Sequence, residues 1–367
     1  MYDEVAAYPE QGGDGKVNAV DPDFEMPSEW KYSIGATYIT DNGYNFTADL
    51  LLNKKINSAT IKDAGIQYSS ETAPDGRPMY EELNGRSGEY LLTNSGRDGQ
   101  STTLSFGLNK SFDFGLDATF GYAFTASEDA NAMTSSVAGS NYGNVATTDA
   151  INPGMATSDY EIPHRFTLVL SYNVELIEHL NTRVSLFGQA SAGRPYSYTF
   201  DSSDSVSNWP DYNEESFGDS NWNGSRQLLY VPAENDPNVV YGPDFDKTAF
   251  DSFVASEGLT RGAIQERNAH NADWWTTFDL KFTQELPGLM EGHKSSAFIV
   301  FKNIGNMMND SWGVMNKGAF VGNRMVEATI NDQGQYVYES FNKGNEDQEV
   351  QNRASLWQIR VGINYKF

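Results

Sequence analysis

The chain has 367 residues, with 25 Lys plus Arg against 50 Asp plus Glu, a formal net charge of −25. It has no cysteine, which excludes disulfides, a thiolate nucleophile and Cys-ligated zinc; the acidic balance excludes a nucleic-acid reader that works through a basic footprint. No run reaches the roughly 18 apolar residues of a membrane-spanning helix, and an aromatic content of 13% excludes a disordered acidic chain.

The first twenty residues, MYDEVAAYPEQGGDGKVNAV, hold no basic n-region and no apolar h-region. Either the protein is not exported or the signal lies upstream in a longer chain.

From there, period-2 alternation recurs and helical periodicity is scarce. In 29–39, Trp30, Tyr32, Ile34, Ala36 and Tyr38 share a face; in 44–52, Phe46, Ala48, Leu50 and Leu52 do. Residues 100–112 align Leu104, Phe106, Leu108 and Phe112, and 115–126 align Leu116, Ala118, Phe120, Tyr122 and Phe124. Residues 163–175 set Phe166, Leu168, Leu170, Tyr172 and Val174 opposite Arg165, Thr167, Ser171 and Asn173. The pattern is weaker in 182–192, where Val184 and Leu186 lie among small residues. It returns in 272–286, with Trp274, Phe278, Leu280 and Phe282 opposite Asp273, Asp279, Lys281 and Glu285. Residues 295–304 are apolar on both faces. The last stretch, SLWQIRVGINYKF, puts Trp357, Ile359, Val361, Ile363, Tyr365 and Phe367 on one face.

Nine strands of about 9–13 residues are therefore predicted. That is longer than the usual 5–6 and close to the 9–11 that a tilted strand needs to cross a bilayer. The connections discriminate further. Short ones, at 40–43, 113–115, 175–181 and 286–294, alternate with long ones at 57–98, 127–162, 194–271 and 305–353. A soluble sandwich does not predict four such loops; an outer-membrane barrel with short periplasmic turns and long extracellular loops does. Parity then places residues 1–28 in an extracellular loop and Phe367 at the periplasmic edge. Nine strands that start outside do not close a barrel, so the expectation is the C-terminal part of a larger one, spanning 29–367. The fold class is all-β: a transmembrane antiparallel β-barrel, partial, with long extracellular loops.

Five stretches carry a family resemblance: FEMPSEWKYSIGATY, YLLTNSGRDGQSTTLSFGLNKSFDFGLDATFGYAFTASEDA, IPHRFTLVLSYNVE, FIVFKNIGNMMND and SLWQIRVGINYKF. Their order over residues 20–367 resembles the C-terminal half of TonB-dependent outer-membrane receptors, of the Oar-like group. FKNIGNMMND is similar to an asparagine-containing motif on that family's penultimate strand. The terminal aromatics Tyr365 and Phe367 resemble the signal read by the barrel-assembly machinery. The resemblance implies a 22-stranded barrel in the outer membrane of a Gram-negative bacterium. It further implies a plug domain and TonB box that this sequence does not contain, and transport driven by TonB. The implied partners are outer-membrane lipid, lipopolysaccharide, the remaining strands and plug of the same receptor, TonB and the assembly machinery. No nucleic acid, resident cofactor or metal is implied.

Lumen-facing positions are expected at Asp49, Asp117, Arg165, Arg183, Asp279, Lys281 and Arg360, with Lys31, Lys110 and Asp273 in the same class; inward polarity is the default of such a barrel. Ligand recognition is assigned to the long loops, where Trp209, Tyr212, Trp222, Tyr230 and Tyr241 offer flat amphipathic contacts. The competing reading makes those aromatics a small core of an acidic loop. Asp201, Asp204, Asp211, Glu214, Glu215 and Asp219 are hard oxygen donors of the kind Ca²⁺ takes, but without EF-hand spacing, so solvated charge is the plainer account.

No enzyme is expected. The four histidines are dispersed without H-E-x-x-H, Ser140 does not sit in G-x-S-x-G, and there is no phosphate loop. The functional expectation is a TonB-dependent receptor or transporter. The alternatives are an adhesin or structural barrel of the Oar-like type and a soluble, secreted, carbohydrate-binding β domain, which would bury its aromatic faces.

Overall fold

The computed structural model describes residues 17–83, 88–201, 226–345 and 348–367. The protein is all-β. Nine long strands form the main sheet: β1 Ser28–Ile39, β2 Asn45–Ile56, β3 Gln100–Ser111, β4 Leu116–Asp129, β5 His164–Ile177, β6 Leu180–Ser191, β7 Trp275–Pro287, β8 Lys294–Lys302 and β9 Gln358–Lys366. Each pairs antiparallel with its neighbour in sequence, and the two-residue strand Ala156–Thr157 adds to β4 off this path. Among the described residues the outer edges of β1 and β9 have no strand partner.

The tight turns follow from local chemistry. At β1–β2 the Gly43 N–H donates to the Thr40 carbonyl at 2.9 Å, with Gly43 at φ +80°. At β3–β4, Gly115 has φ +94° and a Cβ there would lie 2.6 Å from the Asn173 carbonyl oxygen, so a left-handed turn and a close neighbour both require glycine.

Register gives the sheet two chemically different faces. One row runs Tyr38, Phe46, Leu108, Phe120, Leu168, Gly188, Phe278 across β1 to β7. Another runs Leu116, Tyr172, Val184, Phe282, Ile299, Val361 across β4 to β9. The opposite face carries the row Gly35, Asp49, Ser105, Ala123, Arg165, Ser191 and the row Asp117, Ser171, Ser185, Lys281, Val300, Arg360.

Among the described residues, none of the buried hydrophobic side chains lies on these nine strands. The apolar face is open: Ile34, Val361 and Ile363 are each more than 70% exposed. The buried core lies instead in the connections at 57–99, 130–163, 192–274 and 303–357. A four-stranded sheet there orders Tyr198–Asp201, Asn323–Ile330, Tyr336–Phe341 and Val239–Tyr241. Around it pack Phe200, Leu229, Val231, Met325, Tyr336 and Tyr338. The helix Lys247–Ser256 starts where Asp246 Oδ1 accepts the Ala249 N–H at 2.9 Å, and it buries Phe250, Phe253 and Val254 into the same core. A smaller core joins Ile61, Ile66, Tyr80, Tyr142 and Ala150. The long connections were expected as loops; they are a folded cap.

Residues 17–27, expected in an extracellular loop, dock at the long-connection end. Asn18–Val20 pairs parallel with Tyr90–Leu92, and Thr93 Oγ1 donates to Asp21 Oδ2 at 2.6 Å.

Candidate functional site: an open apolar face beneath an interlocked cap

The apolar face is the first functional surface. In β4 it runs from Leu116 to Ala126, ten steps of about 3.4 Å, or roughly 34 Å along the strand. Charged side chains on this face of the nine strands are Lys54, Lys110 and Glu128, each within two residues of a strand end. Aromatic rings gather at the cap-side margin. Tyr122 and Phe166 lie 4.7 Å apart, Phe166 and Trp274 6.1 Å, and His164 and Trp274 5.9 Å. The Tyr122 hydroxyl hydrogen-bonds His164 Nδ1 at 2.9 Å. His164 thus opens a strand, directly after Pro163.

The polar face holds Asp49, Asp117, Arg165, Arg183, Asp279, Lys281 and Arg360 together, as the alternation required. Ser111 Oγ donates to Asp117 Oδ1 at 2.6 Å, and Arg360 Nη2 donates to Gln358 Oε1 at 3.0 Å. The Lys281 ammonium lies 5.1 Å from the centroid of the Phe298 ring, and that ring covers Gly362. Lys110 is a correction. It pairs with Ala118 and so takes an apolar-face position, where its ammonium donates to the Asn42 carbonyl beside the rings of Tyr44 and Phe112. Asp273 precedes β7 and is tied to the cap, its N–H donating to Gln348 Oε1 at 2.8 Å.

The cap is the second surface, and all four connections interlock in it. Arg77 grips Asp75 with Nε and Nη2, both side chains fully buried; its Nη2 donates to the Leu228 carbonyl at 2.7 Å and Nη1 to Gln227 Oε1 at 3.2 Å. Arg267 donates to the Asp129 and Ala130 carbonyls and to Asp129 Oδ1. Arg226 donates to the Tyr142 carbonyl, its guanidinium 4.2 Å over that ring. The Tyr338 hydroxyl donates to the Tyr230 carbonyl at 2.5 Å. Asp149 accepts from the Tyr68 hydroxyl at 2.9 Å; burial first, then that carboxylate, pushes the Tyr68 phenol up to about 12. None of these arginines was singled out in the sequence, because their partners lie far along the chain and no local period marks them.

Of the ligand candidates, Trp209, Tyr212 and Trp222 lie outside the described residues, as do Asp204, Asp211, Glu214, Glu215 and Asp219. Tyr230 is a correction: it is only 7% exposed, and its hydroxyl donates to Asp236 Oδ2 at 2.6 Å. Its ring belongs to the cap core, so it offers no open contact surface. Tyr241 is half-buried against Phe245 at 5.1 Å, with Lys247 over its ring. Asp201 accepts from Asn342 Nδ2 at 2.6 Å, and among the described residues no acidic cluster has the arrangement of a metal site. At the turn end, Tyr365 Oη lies 2.6 Å from His293 Nδ1, and Phe367 is exposed.

A cleft of about 320 Å³ opens where β1 and β2 meet the cap, lined by Pro27, Glu29, Lys55, Asp129, Asn131 and Met133 among others. Its acids are already engaged: Glu29 with Lys31 and Asn53, Asp129 with Arg267.

No family model and no curated protein matches this chain.

Proposed function

We propose that this chain is a bilayer-embedded part of an outer-membrane β-barrel, the C-terminal barrel portion of a TonB-dependent receptor that takes up or binds an extracellular ligand. One observation carries the membrane reading: a continuous apolar face across nine paired strands is left open, while the buried hydrophobic side chains, among the described residues, sit in the connections. Soluble proteins rarely expose contiguous apolar patches beyond a few hundred Å². A lipid environment satisfies this face, and a carbohydrate-binding soluble domain does not. The sheet's two edges, unpaired among the described residues, support a barrel completed by further strands. The cap, on the extracellular side in this reading, is the ligand-facing element.

A second reading, a barrel that binds or adheres without import, draws on the cap itself, whose connections are locked together by buried arginines.

The test is fractionation of source membranes, followed by blotting with an antibody against residues 355–367. A band well above 40.7 kDa in the outer membrane supports the receptor. A band at 40.7 kDa in that membrane favours the binding or structural barrel. Recovery in the aqueous fraction without detergent sinks both.

A further inference from the structure

The open apolar face is not smooth. Ala36 and Ala48 stand opposite each other on β1 and β2, and Ala48 faces Phe106 on β3. Two methyl groups in register leave a dent where neighbouring positions carry rings. The dent has a volume of about 280 Å³ and is walled by Tyr38, Phe46, Phe106, Leu108 and Phe120. Thr47 and Gly107 complete its lining.

Two residues beyond Leu108, on the same face and towards the tight turns, is Lys110. It is the one charged side chain at that end of the apolar face among the described residues of the nine strands. One of its three donors is held by the Asn42 carbonyl, and the rings of Tyr44 and Phe112 lie 5.1 and 5.5 Å from its nitrogen. Those contacts fix the ammonium at the margin of the band with donors left over.

We infer that this groove is a phospholipid site: an acyl chain lies over Ala36 and Ala48, and the lipid phosphate pairs with Lys110. From Phe106 to Lys110 is four residues, about 14 Å along the strand, which sets a chain segment and a headgroup in one line. The position selects a glycerophospholipid of the leaflet at the tight-turn side. The inference rests on the proposed membrane reading.

The test uses the full chain reconstituted in phosphatidylcholine vesicles, with spin-labelled phosphatidylglycerol or spin-labelled phosphatidylcholine as probe. Flotation comes first: protein left in the aqueous fraction overturns the membrane reading and this inference with it. For floated protein, the expected result is a larger motionally restricted fraction for phosphatidylglycerol than for phosphatidylcholine, the affinity of the single groove being raised about fivefold, since one cation near an anionic headgroup is worth that much. Lys110→Gln removes the enrichment, and Ala48→Leu, which fills the groove, lowers the restricted fraction while leaving the flotation unchanged. Equal enrichment in Lys110→Gln, or an unchanged restricted fraction in Ala48→Leu, overturns the site alone. Because the chain has no cysteine, Ala36→Cys gives a unique thiol. Disulfide dimers formed through it in the vesicles would put a second copy in the groove and overturn the lipid assignment.

Discussion

The backbone N–H of Asn303 donates to Oδ1 of Asp279 at 2.8 Å, which ties the end of β8 to the polar face of β7. Asn303 has φ +49°, a left-handed conformation that asparagine tolerates. Its side-chain amide reaches the Gly313 and Ser355 carbonyls at 3.0 and 2.6 Å. The asparagine of the FKNIGNMMND stretch thus clips both ends of the last long connection to the sheet.

Replacing Asn303 with Ala removes two side-chain hydrogen bonds, one buried and one part-buried, and places a less tolerant residue at positive φ. The expected cost is about 2–4 kcal/mol, read as a lower urea midpoint for the reconstituted protein. Asn303→Gly, which keeps the backbone conformation and loses the bonds, is expected to fall between the two. Equal midpoints for all three would reject the clamp.

The buried Arg77–Asp75 pair is expected to be the most sensitive point of the cap. Arg77→Met strands a buried carboxylate, for about 3–5 kcal/mol of destabilisation. Arg77→Met with Asp75→Leu removes both charges and is expected to recover part of that loss. Limited proteolysis checks this: cleavage should rise within 57–99 and 226–274 while the nine-stranded sheet stays protected. Uniform cleavage of the whole chain would contradict a cap that unfolds by itself.

Burial among Tyr196 and Tyr198 holds the His270 imidazole below its usual 6.5, against the opposing pull of Glu257. The folded cap therefore prefers the neutral ring. Its stability is level above about pH 6.5 and declines as the pH drops below that value towards the folded pKa, because the unfolded chain takes up the proton first. Hydrogen-exchange protection of 195–201 and 263–271, taken relative to the intrinsic exchange rate at each pH, should fall between pH 7 and pH 5, and His270→Gln should flatten that change. A cap whose protection is equally pH-dependent in the variant would exclude His270 as the cause.

The two faces of β4 give a paired test of the membrane reading. Phe120→Arg places a cation in the middle of the apolar band, for an expected cost of about 2–4 kcal/mol in a bilayer. Thr119→Arg points the same charge to the polar face and is expected to cost under about 1 kcal/mol. Folding yields into vesicles compare them directly. If Phe120→Arg inserts as well as Thr119→Arg, the apolar face does not meet lipid.

What the sequence decided was whatever depends on neighbours along the chain. A period of two assigns each residue to a face, so Ile34, Phe120 and Val361 were separable from Asp49, Arg165 and Lys281 before any fold was known. Runs of alternation placed the strands to within a few residues, and the short connections marked which of them follow one another as hairpins. Lys110 went to the wrong face because charge was read ahead of parity at a strand end.

The tertiary structure alone decided the cap. Arg77 meets Leu228 across 151 positions, and Arg267 meets Asp129 across 138. Tyr230 turned from a contact surface into core, because packing against the strands of other connections takes its ring out of water. Pairings at such separations have no local period. They are selected only when burial of the whole set outweighs the entropy of ordering four long connections, and a strand-by-strand reading has no access to that balance.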